Sequence, residues 1–390
     1  MRRHGIGYLL ASILALGWLT GCHRDSAPPT DFEELSPGVG YANPRLDEGP
    51  WSIHVVRVDR TRPTLELHSV HAGGGALGLS PLSEQLRRIP ATSGTPVAAI
   101  NGDFYQRDRP HAGDPRGLQI VSGELISAPN GGVAFWTDST GQPHTGAVQS
   151  RLQLVWPDGS TTPLGLNQER EPSSAVLYTP AAGPNTHTPD GLEIIVEPQG
   201  DSAGRPLRPG TTNVVRVRST QTQGDSRIDP GTWVLSLGSG PAQSHSPPAP
   251  GTELSVITGS NPDLRGVRTA IGGGPILVDQ GRPQRIQAPS KDSYEFSSMV
   301  EQHPRSAVGW NDQFFFLVLV DGRQPDLSVG MTLEELAKTL AGLGCAEAMN
   351  LDGGGSATLW ADGKIRNSPC DGRERPIANA LVVVRAPPTP

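Results

Sequence analysis

Four clusters of polar residues and glycines lie at the ends of apolar runs in this 390-residue sequence. They are Asn101-Gly102-Asp103-Phe104-Tyr105, Gly272-Gly273-Gly274-Pro275, His303-Pro304-Arg305-Ser306-Ala307-Val308-Gly309 and Asn350-Leu351-Asp352-Gly353-Gly354-Gly355-Ser356. A carboxylate at such a position can stabilise or attack a centre that becomes positive. A guanidinium offers a planar fork matched to phosphate oxygens. Three consecutive glycines cost conformational entropy and are better justified where backbone amides must approach an anion. Asp352 is therefore the first candidate for a catalytic carboxylate, with Asp321 and Asp103 as the others. Arg305 and Arg323 are candidates for binding an anion, Asn101 and Asn350 for orienting substrate or water. Gly273, Gly274, Gly353, Gly354, Gly355 and Ser356 would line the ligand.

Each cluster also has a plain structural reading. Asn-Gly is a favoured hairpin pair, Gly272–Pro275 could be a bend, and Asp321-Gly322 could be a turn with Arg323 pairing a surface acid. Two other chemistries have no motif here. The glycine run lacks the Gly-Lys-Ser/Thr ending of a phosphate loop. There is no His-Glu-x-x-His pair.

The elements that must position these clusters are mostly strands. Trp51–Val58 and Thr64–Val70 alternate, Val97–Ile100 is a buried run, and from Gly117 to Val278 short strands are split by turn residues. Ser80-Pro81 is placed to cap a short helix with Leu82, Leu86 and Ile89 on one face. Phe314–Val320 reads as a strand covered on both faces. Thr332-Leu333-Glu334-Glu335 is a capping box, and Leu333, Leu336, Ala337, Leu340 and Leu343 follow at helical spacing before Gly344. Strand, helix and strand in that order imply a crossover. The sequence predicts an α+β fold: one large strand-rich domain of mixed sheets with few helices, ending in a strand–helix–strand unit. Its expected limits are residues 51–385, with a Pro-rich tail over 386–390.

Composition agrees with a turn-rich fold, since 48 glycines and 38 prolines accompany only 5% aromatic residues. The net charge of −7 argues against a surface built to hold nucleic acid. Arg2, Arg3 and His4 precede an apolar run from Ile6 to Leu19 that ends in Leu19-Thr20-Gly21-Cys22. This looks like a lipoprotein signal peptide over residues 1–21, with Cys22 as the lipidated residue. Residues 22–50 would be a flexible tether. No later run is long enough to span a bilayer. In an exported chain the remaining pair, Cys345 and Cys370, points to a disulfide, with two free thiols as the alternative.

Taken together and in this order, the four clusters resemble the phosphodiester glycosidase family. Asp321-Gly322-Arg323, the segment Met331–Leu343 and the stretch from Arg375-Pro376 to Val384 are similar as well. Asp103 stands where the family's mammalian member has glycine. The resemblance covers most of the chain from Trp51 onward and implies hydrolysis of a sugar joined through its anomeric carbon to a phosphodiester. Under it, Arg305 with Arg323 would clamp the phosphate, the Gly353–Ser356 amides would assist, and Asp352 would be the catalytic carboxylate. The partners expected are a sugar phosphate or phosphate-linked glycan, and the membrane through the lipid anchor. No cofactor is required, although clustered Asp and Asn could hold Ca²⁺ or Mg²⁺. The alternatives are a non-catalytic polysaccharide-binding lipoprotein and a metal-dependent phosphodiesterase.

Overall fold

Side chains of a strand point alternately to its two faces, and Phe314–Val320 shows what that does here. Phe315, Leu317 and Leu319 enter one core, while Phe316, Val318 and Val320 enter another. A strand apolar on both faces must lie between two layers, as its sequence predicts. A computed structural model describes residues 31–47, 49–108, 110–287 and 298–387. The signal peptide over 1–21, Cys22 and the end of the Pro-rich tail lie outside the described residues.

The central layer is a nine-stranded sheet. Trp51–Asp59, Phe314–Val320, Arg305–Trp310 and Glu347–Asn350 are antiparallel neighbours within it. Because Arg305–Trp310 is antiparallel to both its neighbours, Phe314–Val320 and Glu347–Asn350 run parallel. The helix Leu333–Gly342 makes the expected crossover between them. Its capping box is formed: the Glu335 amide donates to Thr332 Oγ1 at 3.2 Å and the Thr332 amide to Glu335 Oε2 at 2.8 Å. Leu333, Leu336, Ala337 and Leu340 pack on Ile53, Val55 and Val318, and burial of each large apolar side chain contributes about 1.5–3 kcal/mol. Gly344, at φ +86°, ends the segment.

A five-stranded sheet faces the other side of the central layer. It contains Leu65–His71, Asn379–Arg385, Thr95–Asn101 and Leu359–Ala361. Val56, Leu317, Ile100 and Leu381 meet in the core between the two sheets. The short helix Leu82–Arg87 covers the outer face with Leu82 and Leu86. A second sandwich, formed by a five-stranded and an eight-stranded sheet, buries Ile120, Leu154, Leu177 and Leu235. Its strand Thr269–Gly273 continues through Gly274-Pro275 into Ile276–Asp279 of the central sheet. The second glycine cluster is therefore where the chain passes from one sandwich to the other.

Three expectations are corrected. The tether is shorter than residues 22–50, because Glu33–Ser36, Val39–Ala42 and Arg45–Leu46 form strands at the edge of the central sheet. Buried Val39 and Ala42 give that segment a reason to order. Ser80 does not cap the first helix; its hydroxyl donates to Glu84 Oε2 at 3.1 Å while its backbone pairs with Ile377. Cys345 and Cys370 are free thiols. Cys345 is fixed in the core beneath the crossover helix, where burial pushes its thiol up to about 12. Cys370 lies half-exposed in a loop, its thiol directed at Asp371.

Candidate active site

Two sheets deliver the candidate carboxylates to one place. Glu347–Asn350 of the central sheet runs into Asp352, and Thr95–Asn101 of the facing sheet runs into Asp103. The two strand ends are tied together. The Asp352 amide donates to Gly102 O at 2.9 Å, and Asn101 Nδ2 donates to Asp352 O at 2.6 Å. Asn101 Oδ1 accepts from Ser306 Oγ at 2.7 Å and from the Thr358 amide at 3.1 Å. Asn101 is fully buried, so the structure places it behind Asp352 as a positioning residue and not in the cavity.

Asp352 opens onto a cavity of about 420 Å³, within the usual ~300–1,000 Å³ of small-molecule sites. Asn350, Gly274, Gly353, Gly354, Gly355, Ser356, Arg305 and Arg323 also line it. Asp352 Oδ1 accepts from the Gly353 amide at 2.9 Å. Burial pushes its carboxyl up to about 6, against the opposing effects of the Ser356 hydroxyl, the Gly353 amide, Arg375 and Arg107.

Asp103 lies beneath the cavity wall. Its Oδ1 accepts from the Phe104 amide at 2.8 Å and its Oδ2 from the Gly117 amide at 2.7 Å. Burial raises it to about 7, and the neighbouring charge of Asp352 acts in the same direction. A methyl group on Gly272 would stand 2.3 Å from Asp103 Oδ2, so glycine is needed there for the carboxylate to fit. Gly273 is likewise a packing position, its missing Cβ lying 2.5 Å from Asn350 O.

Asp321 is not brought to the cavity. It is buried in a separate network, with Oδ2 2.8 Å from His54 Nε2 and Oδ1 accepting from the Ser368 amide at 2.9 Å. Among the described residues no three His, Cys, Asp or Glu side chains gather into a group able to hold a metal. Both oxygens of Asp103 and of Asp321 take part in hydrogen bonds, and neither residue lines the cavity.

The triple glycine serves a different purpose from the one the sequence suggests. The Gly353 amide is taken by Asp352, the Gly354 amide by Pro304 O at 2.9 Å, and the Ser356 amide by Gly353 O at 3.1 Å. What the glycines provide is clearance. A Cβ on Gly354, where φ is +59°, would lie 3.2 Å from the Arg323 guanidinium. A Cβ on Gly355 would fall on the Arg375 guanidinium, 1.8 Å from Nη2.

Arg305 is buried, donating from Nε to Met331 O at 2.7 Å and from Nη2 to Glu301 O at 2.8 Å. Burial, with Arg323 nearby, lowers it to about 10. Arg323 itself holds φ +58°, an uncommon conformation for a residue with a side chain. Asn350 donates from Nδ2 to Gly274 O at 2.9 Å, which leaves its buried Oδ1 without a partner among the described residues.

Sequence reasoning missed four residues that line the same cavity: Tyr105, Arg107, Arg116 and Arg375. Tyr105 ends the first cluster, and its hydroxyl donates to Pro376 O at 3.0 Å. Arg107 and Arg116 carry no motif of their own, and Arg375 opens the Arg375-Pro376 stretch without being singled out as a site residue. A count of arginines flanking the clusters would have been the only available signal.

A sequence model of the phosphodiester glycosidase family matches residues 185–384, just over half of the chain. The SPbeta prophage-derived uncharacterized protein YomE of Bacillus subtilis strain 168 is 31% identical over 120 residues, or 30% of this chain. The match spans only 18% of YomE. Two solved structures share the fold. A hypothetical protein from Synechocystis superposes with a TM-score of 0.71 at 23% identity, covering 92% of this chain and 64% of that one. A Burkholderia pseudomallei K96243 protein whose name calls it exported gives 0.66 at 23% identity, over 86% and 74% respectively.

Proposed function

The chain belongs to the phosphodiester glycosidase family, and on that premise we propose that it hydrolyses the glycosidic bond of a sugar-1-phosphodiester. The observation that carries this reading is a half-buried aspartate, Asp352, facing a cavity lined by five arginines. A glycosidic transition state is positive at the sugar and increasingly negative at the departing oxygen. Asp352 meets the first demand and guanidinium groups the second. A phosphate monoester leaves readily, having a second pKa near 6, so a strong general acid is less necessary than for an ordinary glycoside.

In this mechanism Arg305 and Arg323 hold the phosphate oxygens, and Asn350 Oδ1 accepts a hydrogen bond from a sugar hydroxyl. Asp352, as its carboxylate, faces the anomeric carbon. The C–O bond breaks, the electron pair leaves with the phosphate monoester, and water supplies the oxygen of the new anomeric hydroxyl. Asp103 acts through position: it holds the Phe104 and Gly117 amides behind the reacting carboxylate.

We place this activity in the cell envelope, with the lipid anchor at Cys22 read from the sequence. Phosphate-linked glycans would be the natural substrates there. The test is to incubate the protein with a panel of sugar-1-phosphodiesters in ¹⁸O-labelled water. The label is expected in the sugar; label in the phosphate would mean P–O cleavage, and binding without turnover would leave a carbohydrate-binding protein.

A further inference from the structure

A phosphodiester carries one negative charge, yet five guanidinium groups line this one cavity in a chain whose net charge is −7. Arg107, Arg116, Arg305 and Arg323 form no ion pair with a described residue, and Arg375 is matched by Asp371 at 2.8 Å. Among the described residues Asp352 is the only carboxylate lining the cavity, and there the cations outnumber what a single phosphodiester can neutralise.

The arginines are also divided between two places. Arg305 feels the charge of Arg323, and Arg323 lies against Gly354. Arg375 lies against the next glycine, Gly355. Arg375 and Arg107 are the cations that act on both Asp352 and Tyr105. Two neighbouring glycines of the Asp352 loop thus lie against different arginines, Gly354 against Arg323 and Gly355 against Arg375.

We propose that Arg107 and Arg375 form a second anion subsite, and that the substrate is a sugar phosphodiester bearing a further oxyanion, a phosphate or a carboxylate. The inference rests on the phosphodiester reading for its first anion, which is held by Arg305 and Arg323. A substrate with one charge would be met by Arg305 and Arg323 and would leave Arg107, which has no acidic partner among the described residues, without a counter-charge at the same cavity. A substrate with two anions matches both pairs and gains charge-assisted, bidentate hydrogen bonds at each. Repeating phosphate-linked chains and acidic sugars both meet this description.

Binding tests the subsite separately from turnover. Methyl propyl phosphate, propane-1,3-diyl bis(methyl phosphate) and methyl 3-carboxypropyl phosphate, which carry one, two and two negative charges, are titrated into the full chain by calorimetry at fixed low salt. The doubly charged probes are expected to bind at least about tenfold tighter than methyl propyl phosphate, one further charged hydrogen-bonding group being of that order. Tightening by the bis(methyl phosphate) alone identifies the second anion as phosphate; tightening by both identifies any oxyanion. Arg107→Gln, at an exposed position, is expected to remove the advantage with no change in thermal melting. Equal affinities, no measurable binding of any probe, or an Arg107→Gln protein that keeps the preference would each overturn the proposal. Preference without hydrolysis of any phosphodiester would count against the proposed reaction and leave the subsite standing. Hydrolysis without preference would do the reverse.

Discussion

The loops beginning at Asp321 and Asp352 look alike in sequence, each an aspartate that follows an apolar strand and precedes glycine. Folded, they differ in what engages the carboxylate. Asp321 gives one oxygen to His54 and the other to the Ser368 amide, with Asn367 Nδ2 also 3.4 Å away. Asp352 has the Gly353 amide and the Ser356 hydroxyl beside it and a cavity in front. A buried carboxylate with both oxygens engaged holds structure together, whereas one facing space lined with guanidinium groups is available for chemistry.

The largest expected effect breaks this comparison if it fails. Asp352→Asn should lower kcat/KM by roughly 10⁴-fold or more, with the melting temperature retained. If substantial turnover survived, the two loops would be equivalent after all. The pH profile sharpens the point. With its carboxyl at about 6, Asp352 must ionise to act, so kcat/KM should fall about tenfold per unit below pH 6.

The same shift predicts stability. The folded state holds this proton more tightly than the unfolded chain, whose ordinary value is 3.8. The contribution from Asp352 is therefore greatest below pH 3.8 and declines as pH rises towards 6. Asp352→Asn should remove that slope in urea titrations. Gly355→Ala should displace Arg375 and lower kcat/KM by roughly 10- to 100-fold, the scale of a small misplacement in a site. Asp321→Asn should have the smallest effect on catalysis. It should cost about 1–2 kcal/mol in urea unfolding through weakened charged hydrogen bonds, without a comparable loss of kcat/KM.

Sequence alone revealed the elements whose evidence is local. The capping box at Thr332, the two-faced strand Phe314–Val320 and the crossover between parallel strands all follow from spacing within a few turns of chain. The place of Asp352 at a cavity was also legible, because three glycines beside an acid suggest a close approach. The convergence of Arg107, Arg116 and Arg375 was not legible, since it depends on the register of strands far apart in the chain. Pairing of Val39–Ala42 with Val55–Val58 was hidden for a related reason: four residues are too short a run to show alternation. The glycines themselves suggested amides for an anion, and only the coordinates reveal that most of those amides are spent on neighbouring backbone and side-chain acceptors.

The knot joining Asn101 and Gly102 to the backbone of Asp352 bridges two sheets that share a core but not an edge. A partly assembled molecule with either layer absent would own half of a reaction centre. Under the proposed reaction, turnover would thus report that both layers have closed upon one another, from a rate measurement without any spectroscopic probe.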